Sequence, residues 1–226
     1  MSSRPSFFSS TVGSKILIGL TGLMLFGFLI GHLVGNLSLL VGAEAFNAYA
    51  HKLESLGPLL YLVEAGLVGV FLLHVVKTLG TYRKNAAARP ASYQQKKWAG
   101  HTSRKSWSST TMALTGLFIL FFVVIHIRTF KFGTWYVDEA TGYRDLYKLV
   151  AEIYQNPLYV AFYVVAMVLV GMHLSHGISS ATQSLGLANQ RTSRNLVLGG
   201  RVVAALIAGG FALLPLYMYF ARQVAQ

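Results

Sequence analysis

Five apolar stretches, each long enough to cross a bilayer, constrain this chain more than any other feature. They run over residues 14–41, 58–77, 110–130, 157–179 and 196–220. In lipid every backbone N–H and C=O needs an internal partner, so stretches of this length fold as helices. Composition agrees: 54% of the 226 residues are hydrophobic and 12% are charged, a balance typical of membrane proteins. The expected fold is an all-α membrane protein, a bundle of five transmembrane helices forming a single domain over 1–226. The first stretch is too long for the apolar part of a cleaved signal peptide, so it is expected to stay as a span. Pro58 and Pro157 suit the first turns of helices. Pro215 is expected to kink or end the last one.

Lysine and arginine set the orientation. One side collects Arg4, Lys15, Lys77, Arg83, Lys84, Arg89, Lys96, Lys97, Arg104, Lys105, Arg191, Arg194 and Arg201. The other holds fewer cations and the acids Glu44, Glu54, Asp138, Glu139, Asp145 and Glu152. The basic side, with the N-terminus, is therefore assigned to the cytoplasm, and the expected setting is a bacterial inner membrane. Its charge has two readings, attraction to anionic lipid and a docking surface for an acidic soluble partner. Outside the spans, 44–56 (Phe46, Tyr49, Ala50, Leu53) and 143–154 (Leu146, Leu149, Val150, Ile153) show helical apolar spacing and are expected along the outer membrane surface. Segment 85–106 is expected to start irregularly, with a turn at 86–90.

Four histidines lie inside four of the spans: His32, His74, His126 and His173. Each sits 16 or 17 residues past the point where its apolar run begins, near Lys15, Pro58, Thr110 and Pro157, roughly 25 Å along a helix. Polar groups at that depth are costly and usually functional. Alternating helix directions bring His32 and His126 to an outer level and His74 and His173 to a cytoplasmic one. Two imidazoles at each of two levels predict two bis-histidine haems b. Such ligation fills both axial positions and suits electron transfer. Taken singly, each His also reads as an interhelical hydrogen bond. His176, three residues after His173, is an alternative ligand, propionate partner or quinone contact. His51 and His101 fall in surface segments and are expected to be solvated.

A Thr-Gly pair precedes His32 (Thr21, Gly22) and His126 (Thr115, Gly116) at the same spacing. The glycines lie about three turns before each His on a similar face, and the repeat is read as support for the outer pair. Arg128, with Lys131, is a candidate partner for the outer haem's propionates, and Lys77, Gln183, Ser179 and Ser180 for the inner one's. The plain alternative for the cations is snorkelling at helix ends. Glu64 is the acid inside a span; it reads either as a proton-handling group at an outer quinone site or as a neutral, hydrogen-bonded carboxyl. With no cysteine, the chain can hold no cysteine-ligated cluster, c-type haem or disulfide. Electrons must reach it from a partner or a diffusible carrier.

These residues give the chain a resemblance to the cytochrome b membrane anchors of succinate:quinone oxidoreductases (succinate dehydrogenases and fumarate reductases), in the single-subunit, five-helix, dihaem form. The resemblance extends to HLSHG, His173 to Gly177, similar to that family's fourth-helix pattern of a ligand His and a Gly four residues on. It implies His173 rather than His176 as the ligand, and the pairs His32/His126 and His74/His173. It further implies a flavoprotein subunit with FAD and an iron–sulfur subunit docked on the cytoplasmic face, with menaquinone or another quinone as substrate and no nucleic acid partner. Succinate would bind elsewhere in the complex. Some fumarate reductases of this type carry a Glu two residues before the fourth-helix ligand; this chain has Gly171 there, which puts a copied proton path in doubt. Two rival readings remain from the residues alone: a dihaem cytochrome b of a hydrogenase or formate dehydrogenase, and a haem-free transporter or structural anchor whose histidines carry protons.

Overall fold

The computed structural model describes residues 7–88, 111–189 and 191–224. Among them are seven α-helices: α1 (Thr11–Asn36), α2 (Ala43–Glu54), α3 (Pro58–Ala87), α4 (Met112–Phe130), α5 (Leu146–Ile153), α6 (Pro157–Ser184) and α7 (Ser193–Val224). Helices α1, α3, α4, α6 and α7 are long and apolar enough to cross a membrane, as the five stretches predict. The chain is a multi-pass membrane protein. The end of the bundle holding Thr11 is called the near end here, and the opposite one the far end.

Local chemistry sets the boundaries. Ser10 caps α1, its Oγ accepting from Gly13 N–H at 3.0 Å. Asn156 caps α6 in front of Pro157, which fills the first turn where no N–H is needed. Gly57 (φ 54°) turns the chain sharply before Pro58, a conformation that only glycine adopts freely. The C-terminus of α6 closes with Gly186 at φ 74°. There Gly186 N–H bonds the Gln183 carbonyl and Leu187 N–H the Thr182 carbonyl, so two orphan acceptors of the last turn are satisfied.

Two boundaries differ from expectation. Helix α3 continues to Ala87 rather than turning at 86, because Pro90 restricts the residue immediately before it and not those three or four earlier. The rest of 85–106, with His101 and the cations from Arg89 to Lys105, lies outside the described residues. Pro215 does not end α7, which runs on to Val224. In lipid, continuing the helix keeps every later backbone group paired, and the one bond Pro215 removes is the smaller loss. Its ring is fully buried within the bundle.

The most extensive helix pair is α6 with α7, and α1 packs on α3, α6 and α7. Large apolar side chains face outward along every span, Leu158 at 77% and Leu114 at 70% exposure among them, as lipid requires. The tightly packed core sits toward the far end, around Phe46, Phe122, Val150, Tyr154, Tyr163 and Met218. Helices α2 and α5 cap that end. They pack on each other: Phe46, Ala50, Leu149 and Val150 are buried, while Tyr49 and Leu53 stay exposed. Asn47 ties the cap together, donating to Asp145 Oδ1 at 2.8 Å and accepting from Tyr147 N–H at 2.9 Å. His51, expected to be solvated, stacks on Tyr143 with ring centres 3.5 Å apart. Lys77, Arg83, Lys84, Arg191 and Arg194 gather at the near end, and no acidic residue joins them among the described residues.

Replacing Asn47 with Ala removes both bonds and strands two partly buried partners. It should cost about 1–3 kcal/mol, read as a lower thermal midpoint in detergent with helix content at low temperature unchanged.

Candidate functional site

At the far level His32 of α1 and His126 of α4 face each other with ring centroids 5.8 Å apart and planes at 90°. Each ring rests on a phenylalanine one turn earlier on its own helix: Phe28 on His32 at 5.2 Å and Phe122 on His126 at 5.6 Å. Residues four apart share a helix face, so the stacking follows from spacing alone. Behind the rings, His126 Nδ1 lies 3.3 Å from the Tyr163 hydroxyl. His32 Nδ1 has a longer approach, 3.4 Å, to Asn36 Nδ2, whose short bond goes to the His32 carbonyl at 2.7 Å.

The near level holds His74 of α3 and His173 of α6, each met by a threonine of a neighbouring helix. The His74 Nδ1 lies 3.1 Å from Thr21 Oγ1, and the His173 Nδ1 lies 3.2 Å from Thr115 Oγ1. The adjacent glycines meet the same rings. A Cβ at Gly22 would stand 3.3 Å from His74 Cε1, and one at Gly116 3.4 Å from His173 Cε1.

The Thr-Gly repeat therefore serves the near level, not the far histidines it precedes. The reason is length. Ten or eleven residues back along a helix is about 15 Å, the distance from one level to the other. The repeat is also longer than Thr-Gly-His, since Phe28 and Phe122 occupy matching places between the glycine and the histidine. Sequence reading missed this phenylalanine, although it stands seven residues after the threonine in both helices.

The other predicted residues are distributed as follows. Thr115 engages His173 and not His176, which lies half-buried on the next turn of α6. Arg128 Nη1 donates to the Phe132 carbonyl at 3.0 Å, closing the end of its own helix. Lys131 pairs with Glu64, bridging α4 and α3, and stands 5.9 Å from the Tyr61 ring. Glu64 thus has a cationic partner on a neighbouring helix. Lys77 Nζ donates to the Phe8 carbonyl at 2.8 Å. Gln183 lies in the last turn of α6, and Ser179 bonds back to the Ser175 and His176 carbonyls.

Arg144 is the far-end cation the sequence did not single out. Its Nη2 donates to the Phe130 carbonyl at 2.9 Å, and its guanidinium lies 4.6 Å from the Trp135 ring centre. Its Nε is buried and has no hydrogen-bond partner among the described residues. Phe130 in turn touches the His126 ring, with centroids 5.4 Å apart. An unpaired donor next to Phe130, whose ring touches His126, fits an anionic group arriving there.

Gly171 faces α7. A Cβ there would stand 2.9 Å from the Ala208 Cβ, so the α6–α7 interface has no room for a carboxylate side chain at this position. The missing Glu is a packing requirement of this chain as well as a sequence difference.

The family described as succinate dehydrogenase/fumarate reductase transmembrane subunit matches residues 85–208. The chain is 30% identical over 177 residues to the succinate dehydrogenase cytochrome b558 subunit of Bacillus subtilis (strain 168), a match covering 76% of this chain and 80% of that protein. No solved structure matches the chain.

Gly171→Ala should lower the thermal midpoint by the equivalent of about 1–3 kcal/mol, and Ala208→Gly in the same chain should restore most of it. Equal midpoints for the single variant and the parent would mean that the two helices are not in this contact.

Proposed function

The chain belongs to the succinate dehydrogenase/fumarate reductase transmembrane subunit family, and from that membership we propose a dihaem cytochrome b anchor that moves electrons between an iron–sulfur subunit and membrane quinone. The observation that carries the reading is the His32–His126 pair. Imidazole nitrogen binds a metal ion of this kind at about 2 Å, so two rings sharing one ion have centres roughly 6 Å apart; the separation here is 5.8 Å. The same reading assigns the near-level haem to His74 and His173, and Thr115 at the back of His173 favours that ring over His176. Haem b supplies one-electron transfer at iron when bound, and two imidazole ligands leave no open position for oxygen.

This chain's residues do the holding. Phe28 and Phe122 fix the far-level ring planes from one side. Tyr163 stands behind His126 and orients it. Arg144, with its unpaired Nε, joins Arg128 as a partner for far-level propionates, and Lys77 and Gln183 serve the near-level ones. Catalysis at succinate would belong to the flavoprotein. The cations of the near end, set against no acids among the described residues, would form the docking face for the soluble subunits, on the cytoplasmic side. The near end with the N-terminus would then be cytoplasmic, in a bacterial inner membrane. Glu64, ion-paired with Lys131 at the lipid-facing contact of α3 and α4, is the proposed proton-handling group at a far-side quinone site, menaquinone being the candidate substrate.

The purified protein, reduced with dithionite, should show low-spin b-type absorption, and His126→Ala should remove the far-level haem while sparing the near one. Absence of any such absorption ends the reading in favour of a haem-free anchor. Co-purification with hydrogenase or formate dehydrogenase subunits would favour those complexes instead. Glu64→Gln should lower quinone turnover by tenfold or more and alter its pH profile, with both haem spectra kept; an unchanged profile removes Glu64 from the mechanism.

A further inference from the structure

The repeated Thr-Gly dipeptide does more at the near level than leave room. Threonine in a helix commonly turns its hydroxyl back to the carbonyl four residues earlier. Thr21 does so at 2.6 Å to Leu17 and Thr115 at 3.1 Å to Thr111. A hydroxyl has one proton, so once that proton is given to the carbonyl only acceptor lone pairs remain on the oxygen. Those lone pairs face His74 Nδ1 and His173 Nδ1. Both threonines are nearly sealed from solvent, at 4% and 2% exposure, so water does not replace either partner. Each Nδ1 must then carry the proton.

We propose that Thr21 and Thr115 are paired positioning residues for the near-level site: each takes the Nδ1 proton of a histidine on a neighbouring helix and leaves that ring's Nε2 lone pair for haem iron. The inference rests on the dihaem reading and deepens it. Gly22 and Gly116 complete the cradle. Cε1 is the ring atom between the two nitrogens, and it rests where their side chains would begin. The hydroxyl holds one corner of the ring, and the bare glycine admits the next edge. Ring tilt and tautomer are thereby set together, from a different helix than the one carrying the ligand. Hydrogen bonds of this kind behind a ligating histidine typically change metal affinity 10- to 100-fold when lost. The far level lacks this symmetry, since His126 leans on a tyrosine and His32 has only the long contact to Asn36.

The test is the Thr21→Val, Thr115→Val double variant in the assembled complex, compared with the parent and with Thr21→Ser, Thr115→Ser. Valine keeps the shape and removes the acceptor; serine keeps the acceptor. Haem content, low-temperature optical spectra, electron paramagnetic resonance and a redox titration are recorded, independently of turnover. The valine variant should release near-level haem at least tenfold more readily and shift its resonance and potential, with the far-level signals unmoved as an internal measure of folding. Serine should restore the parent's near-level signals. Unchanged near-level haem in the valine variant overturns the proposal, and so does a loss at both levels or a failure of serine to restore, since either assigns the threonines to packing alone. A parent complex with no low-spin haem signal overturns the dihaem reading itself, a result distinct from all of these.

Discussion

An imidazole buried among apolar helices cannot leave both its nitrogens facing hydrocarbon. That constraint organises the bundle. One nitrogen of each ring must be given to a protein group, and the protein groups available deep in a span are few: hydroxyls whose own protons are already spent on the backbone, a tyrosine, a peptide carbonyl. Thr21, Thr115 and Tyr163 meet the requirement from helices other than those bearing the rings they serve. Helix positions are therefore tied to one another through the histidines, in a medium where apolar contact alone gives little preference for one neighbour over another.

The number of spans, their alternation and the level of each histidine were legible in the sequence, because lipid permits so few backbone solutions that length and apolarity suffice. The chain's membership of the anchor family was legible too, from one histidine in each of the first four spans. Contacts between spans were not. Thr21 and Thr115 stood out by repetition, yet their partners lie on other helices and a full level away, which no spacing within one helix reveals. Arg144 read as one cation among several; only folding shows that its Nε is left without a partner beside Phe130. The expectation that Pro215 could end its helix applied the rule for water-exposed helices rather than that for helices in lipid. The apolar faces of α2 and α5 were legible, and what they cover was not.

The repeat extends to whole elements. Helices α1 and α4 share Thr-Gly, Phe and His in one register, α2 and α5 are the matching caps, and α3 and α6 each begin at a proline with a histidine 16 residues on. Each half supplies one ring to each level. Neither half alone brings two rings together, so pairing at either level depends on both halves being present. The arrangement has the form of a parallel repeat about an axis along the membrane normal.

Helix α7 has no counterpart in this pattern. It lies along α6 and against α1, and it leaves α3 without a single buried residue. The two copies of the repeat are thus dressed differently: α6 runs along the added helix, whereas its counterpart α3 buries no residue. Helix α3 therefore presents its length to the surrounding lipid, including the flank where Glu64 and Lys131 join it to α4.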